Sequence, residues 1–447
     1  MRRKTKTTPP FRVAIIGGGI GGLTVALFLH HFCEAQSVQV DVYEQTGEYR
    51  EIGAGIGLGV NATKLLHKIG VGDAVNDIAG TKDNIWFALR RFDNSEEITT
   101  IFSNDEGKVR QASVARYELL NVLLSFVKDR GAANLHTKKK CQAVEDLGDS
   151  VRISFADGTS AEADLVIACD GIHSKMRQQF VQDKHVYSGK IVYRGSVPMS
   201  RISPEWTFPS YSAMWVGPGK HIVTYPISAN RTLYYVACIT KDEDKLGDLK
   251  ESWSTTCERE ELEEDFGDVD ELARKLFRLT SEKPSKWLIN DRDPAPQWTF
   301  LGGKVVLLGD AAHPMVPHQS AGAGQAMEDG YIIAKALAEH LDRRKTGQKT
   351  VKLSQWMDLY QKVRMPRAQK VQETSRGAGL LYQMQAPQME GKTFDECVPI
   401  LAETVKNRLK WIFTEDLDVA YEKERIETVG SLDEEKAKSP LGGCFCM

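Results

Sequence analysis

The sequence lacks the features that mark membrane, nucleic-acid-binding and zinc proteins. None of its apolar runs reaches the length of about 18 residues that a membrane-spanning helix needs. Its formal net charge of −3 provides no basic excess for binding nucleic acid. Its 8 cysteines include no pair of C-x-x-C motifs, so no metal site is predicted. These absences favour a protein that acts on small molecules.

The ends of the chain supply no targeting signal that we recognise. The opening segment MRRKTKTTPPF is basic but has no apolar core before a cleavage site. We therefore expect free thiols in a reducing compartment and predict a cytoplasmic location. Cys444 begins a C-a-a-X layout for prenylation, but the middle residues fit it poorly and no polybasic run precedes it. We interpret residues 431–447 as a disordered tail.

The spacing of apolar residues divides the chain into two kinds of structure. The apolar strands Phe11–Ile16 and Val38–Tyr43 flank the helical pattern of Leu23–His30, which predicts a βαβ unit. Alternating strands dominate from about residue 187 to 290 and indicate a mostly antiparallel sheet. The α/β pattern returns at Lys304, so the first domain is interrupted by the second.

This pattern predicts an α/β protein with a discontinuous Rossmann-type dinucleotide-binding domain. A mostly antiparallel sheet domain that binds the substrate is inserted into it, and a helical segment follows. The predicted boundaries are 9–75, 107–186 and 288–380 for the first domain, 76–106 and 187–287 for the sheet domain, and 381–430 for the helical segment.

A glycine-rich turn follows the first predicted strand. Gly17, Gly19 and Gly22 form G-x-G-x-x-G, in which the first glycine permits a tight turn, the second lets backbone amides approach a pyrophosphate, and the third allows close helix packing. Glu44 ends the second strand and can accept hydrogen bonds from ribose hydroxyls. Its carboxylate would repel a 2′-phosphate. The turn therefore favours NAD or FAD over NADP, with a glycine turn that binds nothing as the alternative.

A second acidic glycine segment lies far along the chain, in Val305–Asp329. An apolar strand ends at Asp310, and the loop Pro317–Gly324 leads into a predicted helix. An NAD enzyme has no need of a second carboxylate here, whereas Asp310 could accept hydrogen bonds from the ribityl chain of FAD. Amides at the helix start would stabilise a reduced flavin ring. The two segments together favour FAD.

Several long motifs also give the chain a family resemblance. The motifs are VAIIGGGIGGLTVAL, REIGAGIGLGVNA, DLVIACDGIHSKMR, LLGDAAHPMVPHQSAGAGQAMED, VRMPRAQKVQ and RLKWIFTEDLD. With these motifs, spread over roughly residues 11–420, the chain resembles the class A, single-component FAD-dependent aromatic monooxygenases, in the salicylate hydroxylase-like branch that includes fungal relatives. The resemblance implies a glutathione reductase-like FAD domain. It also implies that NADH or NADPH binds transiently, which agrees with the absence of a second nucleotide fingerprint from the sequence.

The resemblance assigns cofactor roles to matching positions. Arg116 would contact the flavin side of FAD, and Asp170 lies where the family contacts FAD and the pyridine nucleotide. A surface ion pair for Arg116 and a turn cap for Asp170 are the structural alternatives. The ADP part of FAD would be held by Gly17, Gly19, Gly22 and Glu44. Asp310 would bind the ribityl or pyrophosphate region. The flavin ring would be faced by Gly322, Ala323, Gly324 and Gln325.

In this family, reduced flavin reacts with O₂ to give a C4a-hydroperoxide, which delivers oxygen to an electron-rich carbon. A phenol becomes reactive when it loses its proton, so a base or a proton network is expected beside the flavin. His318 is the first candidate, because an ordinary histidine pKa of about 6.5 suits reversible deprotonation. A histidine that only bonds to loop backbone is the alternative. His313 is interpreted as structural.

The predicted sheet domain supplies the other candidates. Arg194 in YRG and Tyr225 in HIVTYP match positions that hold a phenolate in fungal phenol-dearomatising relatives. A slip of one residue in either strand would turn these side chains outward. Further substrate-pocket candidates are His221, Tyr193, Met214 and Pro317.

We therefore predict an FAD-dependent monooxygenase that uses NAD(P)H and O₂ to hydroxylate a phenolic substrate such as a hydroxybenzoate. Decarboxylation would follow if the carboxyl-bearing carbon were hydroxylated. An alkene epoxidase, a natural-product tailoring hydroxylase and a flavin-binding module without turnover are the alternatives. The choice of substrate and of NADH or NADPH stays open, and so does the oligomeric state, for which a homodimer is consistent with the family.

Overall fold

The computed structural model describes residues 9–49, 54–80, 84–103, 105–246, 255–280, 283–346 and 351–430. The expectations for Cys444 and for residues 431–447 lie outside these ranges.

The described ranges contain strands and helices in the following order. The strands are β1 (Phe11–Ile16), β2 (Val38–Tyr43), β3 (Gly55–Leu58), β4 (Ile85–Arg91), β5 (Glu97–Phe102), β6 (Ala112–Ala115), β7 (Asn134–His136), β8 (Cys141–Asp146), β9 (Val151–Phe155), β10 (Ser160–Ala163), β11 (Leu165–Ala168), β12 (Val186–Pro198), β13 (Ala213–Gly217), β14 (Lys220–Ile227), β15 (Thr232–Thr240), β16 (Ser285–Asp291), β17 (Thr299–Phe300) and β18 (Val305–Leu307). The helices are α1 (Ile20–Phe32), α2 (Val60–Lys68), α3 (Gly72–Ile78), α4 (Arg116–Asp129), α5 (Lys175–Phe180), α6 (Met199–Ile202), α7 (Arg259–Asp265), α8 (Glu271–Leu279), α9 (Gly322–Thr346), α10 (Leu353–Tyr382), α11 (Phe394–Val405), α12 (Lys410–Thr414) and α13 (Leu417–Val429).

The first sheet has the doubly wound arrangement that the sequence predicts. Within the described ranges its strand order is β17-β18-β11-β1-β2-β7, and every pairing is parallel except that of β17 with β18. β11 and β18 are apolar runs whose residues are all buried. Continuous apolar strands of this kind form where both faces of a parallel sheet are covered by helices. The predicted fold class is confirmed.

The second sheet joins two distant parts of the chain. Among the described residues its order is β16-β12-β15-β14-β13-β4-β5, and its pairings are antiparallel except that of β4 with β13. β4 and β5 form a hairpin whose connecting turn contains Asp93 and Asn94. One face of this second sheet packs against α7 and α8 in an aromatic-rich core. The opposite face is directed toward the first sheet.

A small antiparallel sheet of order β10-β9-β8 lies apart from the two larger ones. After β9 the chain turns at Asp157-Gly158 and returns as β10 before β11 begins. β10 has the sequence SAEA, whose apolar residues are both alanines, which are weak strand formers.

No helix within the described residues is long and apolar enough to cross a membrane.

Candidate cofactor and substrate site

A cavity of about 360 Å³ lies between the two sheets. Its walls come from the glycine turn after β1, strand β3, the loop that joins β18 to α9, and the inner face of the second sheet. This volume falls in the range of small-molecule pockets, about 300–1,000 Å³. The cavity therefore brings together the two halves of the chain that the sequence assigned to cofactor and substrate.

The glycine turn is shaped by contacts that admit no side chain at two positions. Gly17 has φ = 104°, and a Cβ there would lie 2.4 Å from the carbonyl oxygen of Cys169. A Cβ at Gly22 would lie 2.0 Å from the carbonyl oxygen of Gly17. At Gly19, by contrast, no atom of the described residues lies within 4 Å of the Cβ position. Gly19 therefore borders open space at the start of α1, where helix amides favour an anion.

Glu44 lies beside this turn, as predicted. Its carboxylate accepts hydrogen bonds from the backbone N–H groups of Gly18 and Thr46, each at 2.8 Å. Oε1 also accepts from the Thr46 hydroxyl at 3.0 Å, so Oε2 is the oxygen with a further lone pair for a ribose hydroxyl. The contacts orient the carboxylate and leave it able to hold a ribose.

Asp310 and Arg116 line the cavity farther along. Burial raises the pKa of the Asp310 carboxyl, and the charges of His313 and Arg116 partly offset the effect. Arg116 begins α4 and donates its backbone N–H to the carbonyl of Ala54 at 2.8 Å. These positions, with the open space at Gly19, fit a long cofactor such as FAD. Asp310 would accept hydrogen bonds from its ribityl hydroxyls.

The start of α9 agrees with the prediction in part. Gly322 and Ala323 line the cavity and could face a flavin ring. Gly324 is buried against α2, where its Cβ position lies 3.3 Å from the Asn61 side chain. Gln325 is buried and accepts a hydrogen bond from Arg364 at 2.7 Å. Neither of these last two residues lines the cavity, because successive residues of a helix point to different sides, and a contact of their backbone amides with the flavin stays a prediction.

Asp170 also differs from its predicted role. Its neighbours Cys169 and Gly171 line the cavity. The Asp170 carboxylate instead accepts hydrogen bonds from the N–H groups of Lys175 and Met176, at 2.8 and 3.4 Å. The side chain therefore caps the start of α5, which was the structural alternative, and a direct contact with FAD stays a prediction.

A buried ion network holds the loop after β18 against α9 and α10. Asp329 accepts hydrogen bonds from the backbone of Gly309 at 3.0 Å and from Arg364 at 2.9 Å. His313 lies 2.6 Å from the same carboxylate, with its side chain fully buried. Despite burial, the neighbouring cationic charges hold the pKa of Asp329 below its ordinary value. His313 is thus a structural residue, as interpreted from the sequence.

Arg194 and Tyr225 come together on the wall formed by the second sheet. The guanidinium carbon of Arg194 lies 3.9 Å from the centroid of the Trp287 ring. The rings of Tyr225 and Tyr234 lie 5.6 Å apart, and Gly55 packs against both of them. Burial lowers the pKa of Arg194 and raises the pKa of Tyr225 and Tyr234, the last to about 12. The two phenols are therefore protonated donors at neutral pH.

His318 lines another part of the cavity, next to His221. Their ring centroids are 5.3 Å apart. Gly379 of α10 leaves room for the His318 ring, because a Cβ there would lie 2.4 Å from it. Burial, reinforced by the charge of Lys190, lowers the pKa of His318 to about 3. The expectation of an ordinary pKa near 6.5 is wrong for this histidine, since the sequence does not report its surroundings.

Strand alternation decides which sheet residues reach the cavity. Met214 and His221 line it, as does the exposed Pro317 in the loop. Tyr193 points to the opposite face, where its hydroxyl donates to Asp265 at 2.7 Å, so its candidacy as a pocket residue is wrong. The sequence analysis missed Tyr234, Cys238 and Trp287. Two of these could have been found, since Tyr234 and Cys238 pair with Tyr225 and His221 across β14 and β15.

A doubly wound nucleotide fold with a cavity against a second sheet defines a flavoprotein oxidoreductase. A family model described as an FAD binding domain matches residues 11–375. Salicylate hydroxylase of Pseudomonas putida is 30% identical over 426 residues, 91% of this chain and 93% of that protein. The 6-methylsalicylate 1-monooxygenase of Aspergillus terreus is 32% identical over 423 residues, 91% of this chain and 90% of that protein.

A solved structure of a salicylate hydroxylase substrate complex is also similar. Its TM-score is 0.78 at 28% sequence identity, and the match covers 94% of this chain and 98% of that chain. The chain therefore belongs to the FAD-dependent aromatic monooxygenases, in the branch that contains salicylate hydroxylase. It is an oxidoreductase whose cofactor is FAD.

Proposed function

We propose that the protein hydroxylates a phenolic acid of the hydroxybenzoate class, using NADH or NADPH and O₂. The observation that supports this most strongly is the set of donors on the cavity wall, in which Arg194 lies with Tyr225 and Tyr234. Two protonated phenols and a guanidinium in a largely enclosed site suit an anionic oxygen, and an unsubstituted alkene offers nothing for them to bind.

Arg194 is well placed to bind a phenolate or carboxylate. Its side chain stacks on Trp287, which fixes the guanidinium plane, and only 5% of the residue is exposed. A planar guanidinium can donate two parallel hydrogen bonds to a carboxylate, and such bonds are strongest where water is excluded. Arg194 would therefore orient the substrate as well as stabilise its charge.

Tyr225 would act with Arg194 on the substrate hydroxyl. Because burial raises the pKa of Tyr225, it keeps its proton and can donate it in a hydrogen bond to the substrate oxygen. Donors that favour the ionised form lower the pKa of a phenol. When bound, FAD supplies the activation of O₂, and the protein supplies the orientation and the charge of the ring to be hydroxylated.

His318 has a different proposed role from the one its residue type suggests. With a pKa of about 3 it stays neutral over the physiological range and is a weak base. We propose that His318 contacts the substrate, and that Arg194 and Tyr225 favour its ionisation. Hydroxylation at a carboxyl-bearing carbon would release CO₂.

Three wider features of the enzyme are also proposals. We propose the domain division at residues 76, 107, 187, 288 and 381 given above, a cytoplasmic location and a homodimer. O₂ is the proposed oxygen donor. Size-exclusion chromatography with light scattering tests the homodimer.

The function is tested by turnover of the FAD-loaded protein with a panel of hydroxybenzoates. Heating should release FAD and not FMN, NADH or NADPH oxidation should rise with substrate, and mass spectrometry should detect a product with one added hydroxyl or with the carboxyl group replaced by hydroxyl. Arg194→Met should abolish phenol turnover while retaining FAD. If that variant oxidises phenols normally, or if only alkenes are oxygenated, the proposal is wrong.

A further inference from the structure

The cavity has a second polar region, away from Arg194 and Tyr225. It consists of His221, Cys238 and His318, whose imidazole nitrogens and Sγ atom all lie within 4.8 Å of one another. His221 is only 3% exposed, and its Nδ1 has no hydrogen-bond partner among the residues that the structure describes. All three side chains line the cavity, so they can present polar atoms to a ligand bound there.

The separation between the two polar regions follows from strand geometry. His221, Val223 and Tyr225 alternate along β14 and all line the cavity. The four steps along the strand from His221 to Tyr225 span about 13 Å at the usual rise per residue. Val192 and Val236 line the same wall and make the region between the two polar regions apolar. Two hydrogen bonds would take up about 6 Å of the span. The remainder matches one aromatic ring with a polar group on each side.

The charges around His221 define the chemistry that this region would accept. Burial lowers the pKa of His221, and His318 and Lys190 lower it further. Both imidazoles are therefore neutral at physiological pH, and each can donate through one nitrogen and accept through the other. The positive charge of Lys190 also makes the cluster a poor site for a metal cation, although histidine and cysteine are common metal ligands. A neutral hydroxyl or carbonyl group suits the site better.

We propose that His221, supported by His318 and Cys238, binds a hydroxyl or carbonyl substituent on the side of the substrate ring opposite the group held by Arg194 and Tyr225. The substrate class would then be a phenolic acid with a second polar group across the ring, not a simple salicylate. This inference rests on the proposed function, because it takes a phenolic acid as the ligand.

The test compares two ligands that differ only at the position in question. One is a hydroxybenzoate with a second hydroxyl para to its carboxyl group, and the other has a methyl group there. Dissociation constants are measured from the change in flavin absorbance of the FAD-loaded protein. The wild-type protein should bind the hydroxyl compound about tenfold more tightly, the effect of one hydrogen bond.

Two variants assign that preference to the imidazole. His221→Phe replaces the imidazole, whose centroid lies 5.3 and 5.8 Å from those of the His318 and Tyr382 rings, by another ring, but it removes both ring nitrogens. It should bind the hydroxyl and methyl compounds with nearly equal affinity. His340→Phe is the matched control, because His340 is also a buried histidine whose Nδ1 has no partner among the described residues, and it packs on Phe11 outside the cavity. It should retain the wild-type preference.

The outcomes separate this inference from the proposed function. Equal affinities in the wild-type protein, or a His221→Phe variant that weakens both ligands equally, would overturn the inference even if both compounds are hydroxylated. A preference that disappears only in His221→Phe would support it. The same binding result without any oxygenated product would support the binding site and contradict the proposed hydroxylation.

Discussion

Gly55 offers a way to disturb the phenol-binding wall without touching the cofactor-binding residues. It lies on β3, and a Cβ at this position would be 2.7 Å from ring carbons of both Tyr225 and Tyr234 and 2.9 Å from the Tyr225 hydroxyl oxygen. Carbon atoms normally rest about 3.5–4.0 Å apart. The substitution Gly55→Ala must therefore move the two tyrosine rings by roughly 1 Å.

The expected consequence is a loss of catalytic efficiency with FAD retained. A displacement of about 1 Å in positioning groups can cost about 100-fold in rate. We therefore expect kcat/KM to fall by about 100-fold, which corresponds to about 2.7 kcal/mol of transition-state stabilisation. The assay is substrate-dependent NAD(P)H oxidation with quantified product, together with the flavin content of the purified protein.

Gly47→Ala provides the matched control for an added methyl group. The nearest atom to its Cβ position is the end of the flexible Lys138 side chain, at 3.4 Å. This variant should keep wild-type kcat/KM and wild-type FAD content. If Gly55→Ala also keeps wild-type kcat/KM, the tyrosine pair does not position the substrate. If it loses FAD, the wall and the cofactor site are not separable as argued.

Four further substitutions test other parts of the site. Gly19→Ala should leave the Tm of the apoprotein unchanged, since its Cβ meets open space, yet weaken FAD binding measured by fluorescence titration. An unchanged FAD affinity would show that the pyrophosphate does not bind at Gly19. Asp310→Asn should weaken FAD binding by roughly 10- to 100-fold, the effect of losing charge-assisted hydrogen bonds, and an unchanged Kd would show that the residue is misassigned. Asp329→Asn should destabilise the protein by up to about 3–5 kcal/mol at pH 7, measured by denaturant unfolding, because buried Arg364 then keeps Glu328 but loses Asp329 as a carboxylate partner. The pKa of Asp329 is lower in the folded protein, so its contribution to stability is present above the unfolded pKa of about 3.9 and is lost as pH falls through the folded value. The free energy of unfolding should therefore fall more steeply in acid for the wild type than for the variant. Parallel curves of unfolding free energy against pH would argue against the network. Finally, the profiles of kcat/KM against pH for the wild type and for His318→Gln should have the same acid limb, because His318 does not titrate near pH 6.5. An ionisation near that pH that disappears in the variant would show that His318 acts as a base.

The sequence predicted best those features that local chemistry determines. The structure places Glu44 against the glycine turn, as a strand, a tight turn and an acid at fixed spacing predict, and their contact with FAD stays a prediction. Arg194 and Tyr225 were placed on strands, and the structure puts both on the cavity wall. Their orientation depends on strand parity, which the sequence did not determine because both faces of β12 and β14 are buried around these residues.

What the sequence could not predict depends on neighbours that are distant in the chain. The low pKa of His318 arises from burial and from Lys190, which approaches from β12. The carboxylate of Asp170 turns to the start of α5, a choice made by backbone geometry. Cys238 joins the two histidines only because β14 and β15 pair in one register. None of these relations leaves a mark on local spacing.

The central claim is that FAD bound in this cavity transfers oxygen from O₂ to a phenolic acid held by Arg194 and Tyr225. It is tested most directly by turnover of the FAD-loaded protein with NAD(P)H under isotopically labelled O₂, followed by mass spectrometry of the aromatic product. The account predicts one labelled oxygen atom on the ring in the wild-type protein and none in Arg194→Met. Unlabelled product, or hydrogen peroxide with no oxygenated aromatic across the panel, would contradict it.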